Sequence, residues 1–341
     1  MIKVLIVDDS AFMRQLFTKT INNTSDLKAI DTARNGERAL KKIPELKPDV
    51  ITLDVEMPKK NGIETLQEIK ENYPNIPVIM VSAVDSRENV LKALEEGAFD
   101  FIPKPSGSIS LNIDDIKQKL VNQIKSAANS DFNGNRKNIA PTCPEKVSYS
   151  KKDQFPLIAI GSSSGGPKAL KHLLSPLPGN LPAAIIIVQH MPAGFTASLA
   201  KRLDQISSIS VKEASEGDYI QPGAALIAPG DYHLEVTDGQ TVTLNKKSSK
   251  WGVRPCVDYM MQSAAPIYRQ NIIGVILTGM GHDGAQGMKA IKKYRGQGIV
   301  EDKSTALVYG MPSATIKEKA YDFILPLDKI PAKLIDLIER S

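Results

Sequence analysis

Short apolar runs alternate with amphipathic stretches over the first 125 residues, the pattern of a parallel sheet whose strands are joined by crossover helices. The runs KVLIV (3–7), LKAIDTA (27–33), VITL (50–53), PVIMVS (77–82) and FDFIP (99–103) are the expected strands. Between them apolar residues recur at helical spacing: Phe12, Leu16 and Phe17, then Ala39, Leu40 and Ile43, then Ile63, Leu66 and Ile69, then Val90, Leu91 and Leu94. The pattern predicts five βα units. Residues 126–153 lose this periodicity and are rich in Ser, Asn, Pro and Lys, as expected of a linker. From Phe155 a second α/β pattern begins, with strands expected at 157–160, 183–188, 224–228, 233–236, 241–244, 272–277 and 298–300. No internal repeat relates the two halves.

Length and composition narrow the class. A chain of 341 residues predicts two domains, here 1–125 and 154–341 around the linker. With 42% hydrophobic and 24% charged residues it reads as a folded protein. The longest apolar run, 183–188, is far short of a membrane span, so no membrane insertion is expected. The opening MIKVLIVDDS runs into Asp8 and Asp9 too soon for a secretory signal, which predicts a cytoplasmic protein. Cys143 and Cys256 show neither metal spacing nor a disulfide framework and read as incidental. Residues 1–125 balance 18 basic against 19 acidic side chains and residues 154–341 balance 20 against 16, and the chain has one Trp. Nucleic acid is therefore not an expected partner, and a transcriptional output, which needs a basic recognition helix, is disfavoured.

In a parallel α/β sheet, ligands bind beyond the carboxyl ends of the strands. In the first domain those ends carry Asp8 and Asp9, Asp54, Ser82 and, after the fifth strand, Lys104. Three converging carboxylates repel one another, and a divalent cation with oxygen ligands, Mg2+ or Mn2+, relieves that repulsion. A carboxylate can attack a phosphoryl group while metal and lysine neutralise the charge that develops, and Asp54 is the best-placed nucleophile. Any one of these aspartates alone would more readily be a helix cap. Together, VDDS, LDVEMP, VSA and KP resemble the receiver domain of two-component response regulators. The resemblance implies a flavodoxin-like (βα)5 fold and phosphorylation of Asp54 by a histidine kinase. It also implies Mg2+ held with the help of Asp8 and Asp9, phosphoryl contacts from Ser82 and Lys104, and a switch aromatic at Phe101.

The second domain opens with LIAIGSSSGGPKALKHLL, a strand, a Gly/Ser turn and a helix with Pro167 in its first turn. Gly161 to Gly165 satisfy GxSxG, which presents Ser163 at a strand-to-helix turn and supplies free amides for an oxyanion. A phosphate-binding turn in a noncatalytic scaffold is the competing reading. The partners of a nucleophilic serine tilt the balance toward catalysis. His190 follows the strand at 183–188 and Asp283 the strand at 272–277, so both fall on the sheet edge that holds Ser163. His282 is the rival base, His172 reads as a helix residue, and His233 begins a strand.

The order Ser…His…Asp differs from that of α/β-hydrolases. With GSSSGGP, VQHMP, IAPGDYHL, RPCVD and LTGMGHDGA, the domain instead resembles the catalytic domain of the chemotaxis protein-glutamate methylesterases. That resemblance implies a doubly wound, mainly parallel-sheet α/β esterase domain with the triad Ser163, His190 and Asp283. It places the Met280 amide in the oxyanion hole, and geometry adds the amide of Ser164 as a second donor. The family usually has Ala and Thr where Ser162 and Ser164 flank the nucleophile, so a neighbouring serine could partly rescue its loss. It commonly has Ser where Cys256 stands.

The implied activity is hydrolysis of glutamyl methyl esters on methyl-accepting chemotaxis receptors, releasing methanol, with deamidation of receptor glutamines besides. The implied phosphodonor is the chemotaxis histidine kinase CheA. The unphosphorylated receiver is implied to pack over the active-site face, with phosphorylation opening it. Ester hydrolysis needs no cofactor, and a monomer is expected.

Overall fold

A computed structural model of the chain describes residues 1–83, 86–104, 113–130 and 155–340. Two compact units emerge, residues 1–138 and 139–341. The first runs β1 (Ile2–Val7), α1 (Ala11–Asn22), β2 (Leu27–Ala33), α2 (Gly36–Leu46), β3 (Val50–Asp54), α3 (Gly62–Asn72), β4 (Val78–Ser82), α4 (Arg87–Glu95), β5 (Asp100–Pro103) and α5 (Ile113–Asn129). Its strands form one sheet in the order β2-β1-β3-β4-β5, all pairs parallel. β3 and β4 are buried along their whole length, as strands covered by helices on both faces must be. Local chemistry sets the helix starts. Ser10 Oγ accepts from the Met13 amide, and Asn61 and Glu64 close a reciprocal capping box on α3.

All five expected strands form, each within a residue or so of its expected bounds. The helical run of α5 continues through Ser126–Asn129, where the linker was expected to begin. Most of the expected linker, residues 131–153, and Cys143 with it, lies outside the described residues.

The second unit runs β6 (Leu157–Ser162), α6 (Gly166–Leu174), β7 (Ala184–Gln189), α7 (Phe195–Ile206), β8 (Ser210–Glu213), β9 (Ala224–Ile227), β10 (His233–Val236), β11 (Val242–Asn245), α8 (Val257–Tyr268), β12 (Ile272–Ile276), α9 (Ala285–Lys293), β13 (Gln297–Glu301), α10 (Gly310–Lys317), β14 (Phe323–Leu325) and α11 (Ile330–Glu339). Seven strands build a parallel sheet in the order β14-β13-β12-β6-β7-β9-β8. The expected strands at 233–236 and 241–244 stand apart from it as an antiparallel hairpin, β10 with β11. Two strands were not expected at all. β8, Ser-Val-Lys-Glu, holds a single apolar residue, and β14, Phe-Ile-Leu, is apolar but only three residues long and half-buried at the sheet edge, too short a run to stand out as a strand. The core of this unit is the apolar face of α8, where Val257, Met260, Met261, Ala264 and Tyr268 pack with Leu157, Ile272 and Ile276 of the sheet.

Candidate functional site

Where the strand order of a parallel sheet reverses between two central strands, the crevice beyond their carboxyl ends is the default ligand site. In the first sheet the reversal separates β1 from β3. Asp8 and Asp9 follow β1 and Asp54 ends β3, and each offers a carboxylate oxygen within 4.8 Å of the others. Lys104 Nζ lies 2.7 Å from Asp54 Oδ2 and 3.3 Å from Asp8 Oδ2. Burial pushes the Asp54 carboxyl up to about 6; Lys104 opposes this and the charge of Asp8 adds to it. Asp8 is also raised by burial. Burial works to lower Lys104, but its bonds and charge contacts with Asp54 and Asp8 outweigh it and hold the ammonium above its ordinary value. Ser82 is buried at the end of β4 and donates to the Ala83 carbonyl; the ring of Phe101 is buried, with Lys119 Nζ 5.2 Å from its centroid.

The acidic cluster fits Mg2+. The donors are all carboxylate oxygens, hard ligands of the kind this ion prefers, and the Lys104 ammonium at 3.3 Å is the one cation beside buried Asp8 Oδ2 among the described residues. Asp8, Asp9 and Asp54 are the residues that would hold it.

In the second sheet the reversal separates β6 from β12. Ser162 pairs with Gln189 in the β6/β7 register, so Ser163 and His190 are the next residues on neighbouring strands, a strand spacing apart. The His190 amide donates to Ser162 O at 3.1 Å, and the Ser163 amide donates to Thr278 O beyond β12 at 3.0 Å. Gln189 pins this arrangement. Its amide group donates to Ser163 O at 2.9 Å while its Oε1 accepts from Ser162 Oγ at 2.7 Å. A Cβ on Gly166 would overlap that Oε1, so glycine is required where α6 begins. The turn is made by Gly165, at φ 80°, and Ser163 is not among the residues at positive φ. The turn is thus relaxed at Ser163 itself. The same contacts engage the Ser162 hydroxyl in a buried bond to Gln189, and Ser164 is buried with its carbonyl accepting from Thr278 Oγ1.

His190 Nε2 lies 2.8 Å from Asp283 Oδ2. Asp283 is 2% exposed, which would raise its carboxyl. The His190 bond and charge and the amides of Asp258 and Val257 outweigh burial and hold it below the usual carboxylate range. Those amides belong to the first turn of α8, whose N–H groups lack intrahelical partners; they donate at 2.9 and 2.7 Å. Cys256 Sγ donates to Asp283 Oδ1 at 3.1 Å. Burial and the neighbouring Asp283 push the thiol above its ordinary range, so it acts as a neutral donor. This corrects the reading of Cys256 as incidental.

Of the rival histidines, His282 is exposed and packs edge-on against Trp251 at 4.1 Å, His172 bonds the Lys168 carbonyl within α6, and His233 is buried in the β10/β11 hairpin. Cys256, Asp258 and Asp283 also cluster tightly, but N–H donors occupy both carboxylates: Asp258 Oδ1 accepts from Gly284 and Gly287 and its Oδ2 from Trp251 Nε1. On the other side of Ser163, its Cβ stands so near Gly279 that a Cβ there would be 2.9 Å away. The next amide, that of Met280, donates to no hydrogen bond among the described residues. Gln189 and Asp258 escaped the reading of the sequence. The contacts that tie them to the site span 26 to 29 residues, and neither lies in a recognisable catalytic spacing.

Among the described residues no helix is long and apolar enough to cross a membrane. The profile for "CheB methylesterase" matches residues 158–334, and that for "Response regulator receiver domain" matches residues 4–113. The chain is 44% identical to a protein of Pyrococcus abyssi over 99% of its length and 94% of that protein's, and 45% identical to one of Thermotoga maritima over 99% and 98%. Both are called "Protein-glutamate methylesterase/protein-glutamine glutaminase". The crystal structure of the Thermotoga maritima CheB methylesterase catalytic domain superposes with a TM-score of 0.53 at 48% identity, covering 54% of this chain and 99% of that one. This chain belongs to the CheB methylesterase family and carries a response regulator receiver domain ahead of the methylesterase domain.

Proposed function

We propose that the protein is a phosphorylation-controlled serine hydrolase that removes methyl groups from glutamyl esters of chemotaxis receptors and deamidates receptor glutamines. The observation that carries this reading is the His190–Asp283 pair, buried and held beside the Ser163 turn at the switch point of the second sheet. Ser163 Oγ attacks the ester carbonyl and gives its proton to His190. With Nε2 turned to Asp283, the ring nitrogen that serves as base is Nδ1. The Met280 amide, with that of Ser164 as second donor, stabilises the oxyanion. Methanol, or ammonia from a glutamine, departs with the proton from His190. Water activated at the same nitrogen then frees the carboxylate, while Asp283 stabilises the imidazolium and fixes its tautomer.

In the receiver, Asp54 is the nucleophile toward a phosphoryl group supplied by the chemotaxis histidine kinase CheA. Mg2+ bound by Asp8, Asp9 and Asp54 would neutralise charge on the phosphoryl oxygens. Lys104 and Ser82 contact the transferred group, and Phe101 is the switch aromatic. Substrates are receptor glutamyl methyl esters and glutamines, met by a monomer in the cytoplasm.

The test is methanol release from methylated receptor membranes by the full chain with Mg2+, before and after a small phosphodonor. Release should rise with the donor in the unaltered protein, stay at its basal level in Asp54→Asn, and fall about 10^3-fold or more in Ser163→Ala. Near-normal release by Ser163→Ala would reject the mechanism.

A further inference from the structure

The excursion between β9 and α8 carries an exposed surface that the hydrolytic chemistry does not use. It leaves the carboxyl end of β9 at residue 228 and re-enters the fold at Val257. Its start lies directly on the segment after His190: a Cβ on Gly230 would stand 2.3 Å from the Ala193 amide nitrogen and 2.4 Å from the Pro192 carbonyl carbon. Its end is tied to the segment carrying Asp283. Trp251 Nε1 donates to Asp258 Oδ2 at 2.9 Å, and the indole meets His282 edge-on. The two ends are joined, since the Asp231 amide donates to Arg254 O at 3.2 Å. The excursion therefore abuts both segments that deliver the triad's base and carboxylate.

What it presents there is aromatic and, over residues 246–254, basic, with exposed Asp231 beside Tyr232 as an acidic exception. Trp251 is 49% exposed although its ring is anchored, and it is held at φ 59°, a backbone conformation uncommon for a bulky residue. Tyr232 is 36% exposed, with Lys246 Nζ 4.7 Å from its ring centre. Residues 246–254 contain Lys246, Lys247, Lys250 and Arg254 and no acidic residue. Lys247 is paired with Glu235 and Lys250 with Asp258, and Arg254 bonds backbone carbonyls of its own loop. Lys246 makes no ion pair among the described residues.

We propose that Tyr232, Lys246, Trp251 and His282 form a docking surface for an acidic segment of the substrate protein, seating it beside the Ser163–His190–Asp283 site. The proposal rests on the methylesterase reading. The occupant follows from charge complementarity: the reaction converts neutral glutamyl esters to carboxylates, so the chain being processed bears acidic side chains around the target. Rigid aromatic anchors with a basic rim suit such a partner. A small ester does not reach them.

The experiment compares receptor-bound methanol release with hydrolysis of p-nitrophenyl acetate by the same full-length proteins. Lys246→Glu and Trp251→Ala should each raise KM for methylated receptor about fivefold or more, and Lys246→Glu should leave kcat and the small ester within about twofold. For the unaltered protein the receptor KM should rise with salt, and Lys246→Glu should flatten that dependence. Because Trp251→Ala also removes a bond to Asp258, Lys246→Glu is the deciding variant. An unchanged receptor KM and salt dependence in Lys246→Glu overturns the docking surface. If the unaltered protein cleaves the small ester but releases no methanol from receptor, the receptor reading itself fails and takes the docking surface with it.

Discussion

Asp258 and Asp283 accept amides from the helix starts beside one another. Asp283, just ahead of α9, accepts the Val257 and Asp258 amides of α8, and Asp258, in the first turn of α8, accepts the Gly284 and Gly287 amides at the start of α9. Each carboxylate thus sits at a helix N-terminus, where negative charge is favoured. The exchange fixes the Asp283 carboxylate before His190 bonds it.

The two aspartates should separate on substitution. Asp283→Asn puts an amide group where His190 needs an acceptor, so kcat should fall by about 10^4-fold, as tautomer errors do in such triads. Asp258→Asn turns an N–H toward Trp251 Nε1 or the helix amides, which should cost about 1–3 kcal/mol of stability with a smaller loss in kcat. Steady-state kinetics beside urea unfolding of both variants distinguishes the two effects.

Cys256 should behave as a hydrogen-bond donor and not as a reactive thiol. Cys256→Ser is expected to keep kcat within about twofold, whereas Cys256→Val, which leaves Asp283 Oδ1 one donor short, should lower kcat about tenfold with KM unchanged. Iodoacetamide at pH 8 should leave Cys256 unmodified in the native protein and label it after unfolding, as peptide mass mapping would record.

The acidic pocket predicts a pH-dependent response to metal. Asp54 in the fold, at about 6, lies above its ordinary value, so the folded chain binds that proton more tightly than the unfolded chain does. Its stabilising contribution is complete below about pH 4 and is lost as pH rises through 6. Without Mg2+, Asp54→Asn should therefore raise the unfolding midpoint at pH 7.5 and change it little at pH 4.5. Mg2+ should stabilise the unaltered protein at pH 7.5, much less at pH 4.5, and EDTA should reverse the gain, all measurable by thermal unfolding.

Lys70 carries the opposite sign. Burial pushes its ammonium down to about 7, where Nζ donates to the Ile76 carbonyl at 2.7 Å. The unfolded chain then binds the extra proton between pH 7 and about 10.4, so stability from this group rises with pH across that window. Lys70→Met should flatten the rise, and the Lys70 side-chain resonance should titrate near 7.

The receiver sheet was legible because β1, β3 and β4 are buried on both faces and therefore appear as uninterrupted apolar runs, each ending in a polar residue: Asp8, Asp54 or Ser82. The second domain was read less completely. Edge strand β8 needs bury only part of its surface and is mostly polar, edge strand β14 is apolar but only three residues long, and the β10/β11 hairpin read like any other pair of strands.

The sequence by itself determined the two α/β patterns, and with them which residues stand at strand ends: Ser163, His190 and Asp283 on one sheet, Asp8, Asp54 and Lys104 on the other. A strand's period and its end are local properties, written in consecutive residues. Only the tertiary structure decided which ring nitrogen of His190 faces Asp283, that Gln189 clamps the serine turn, that Cys256 and Asp258 complete the shell around the triad carboxylate, and that Trp251 is held exposed beside it. Each of these depends on donors and acceptors brought together from distant stretches of chain. The burial that makes such contacts strong is set by packing, which no local pattern encodes.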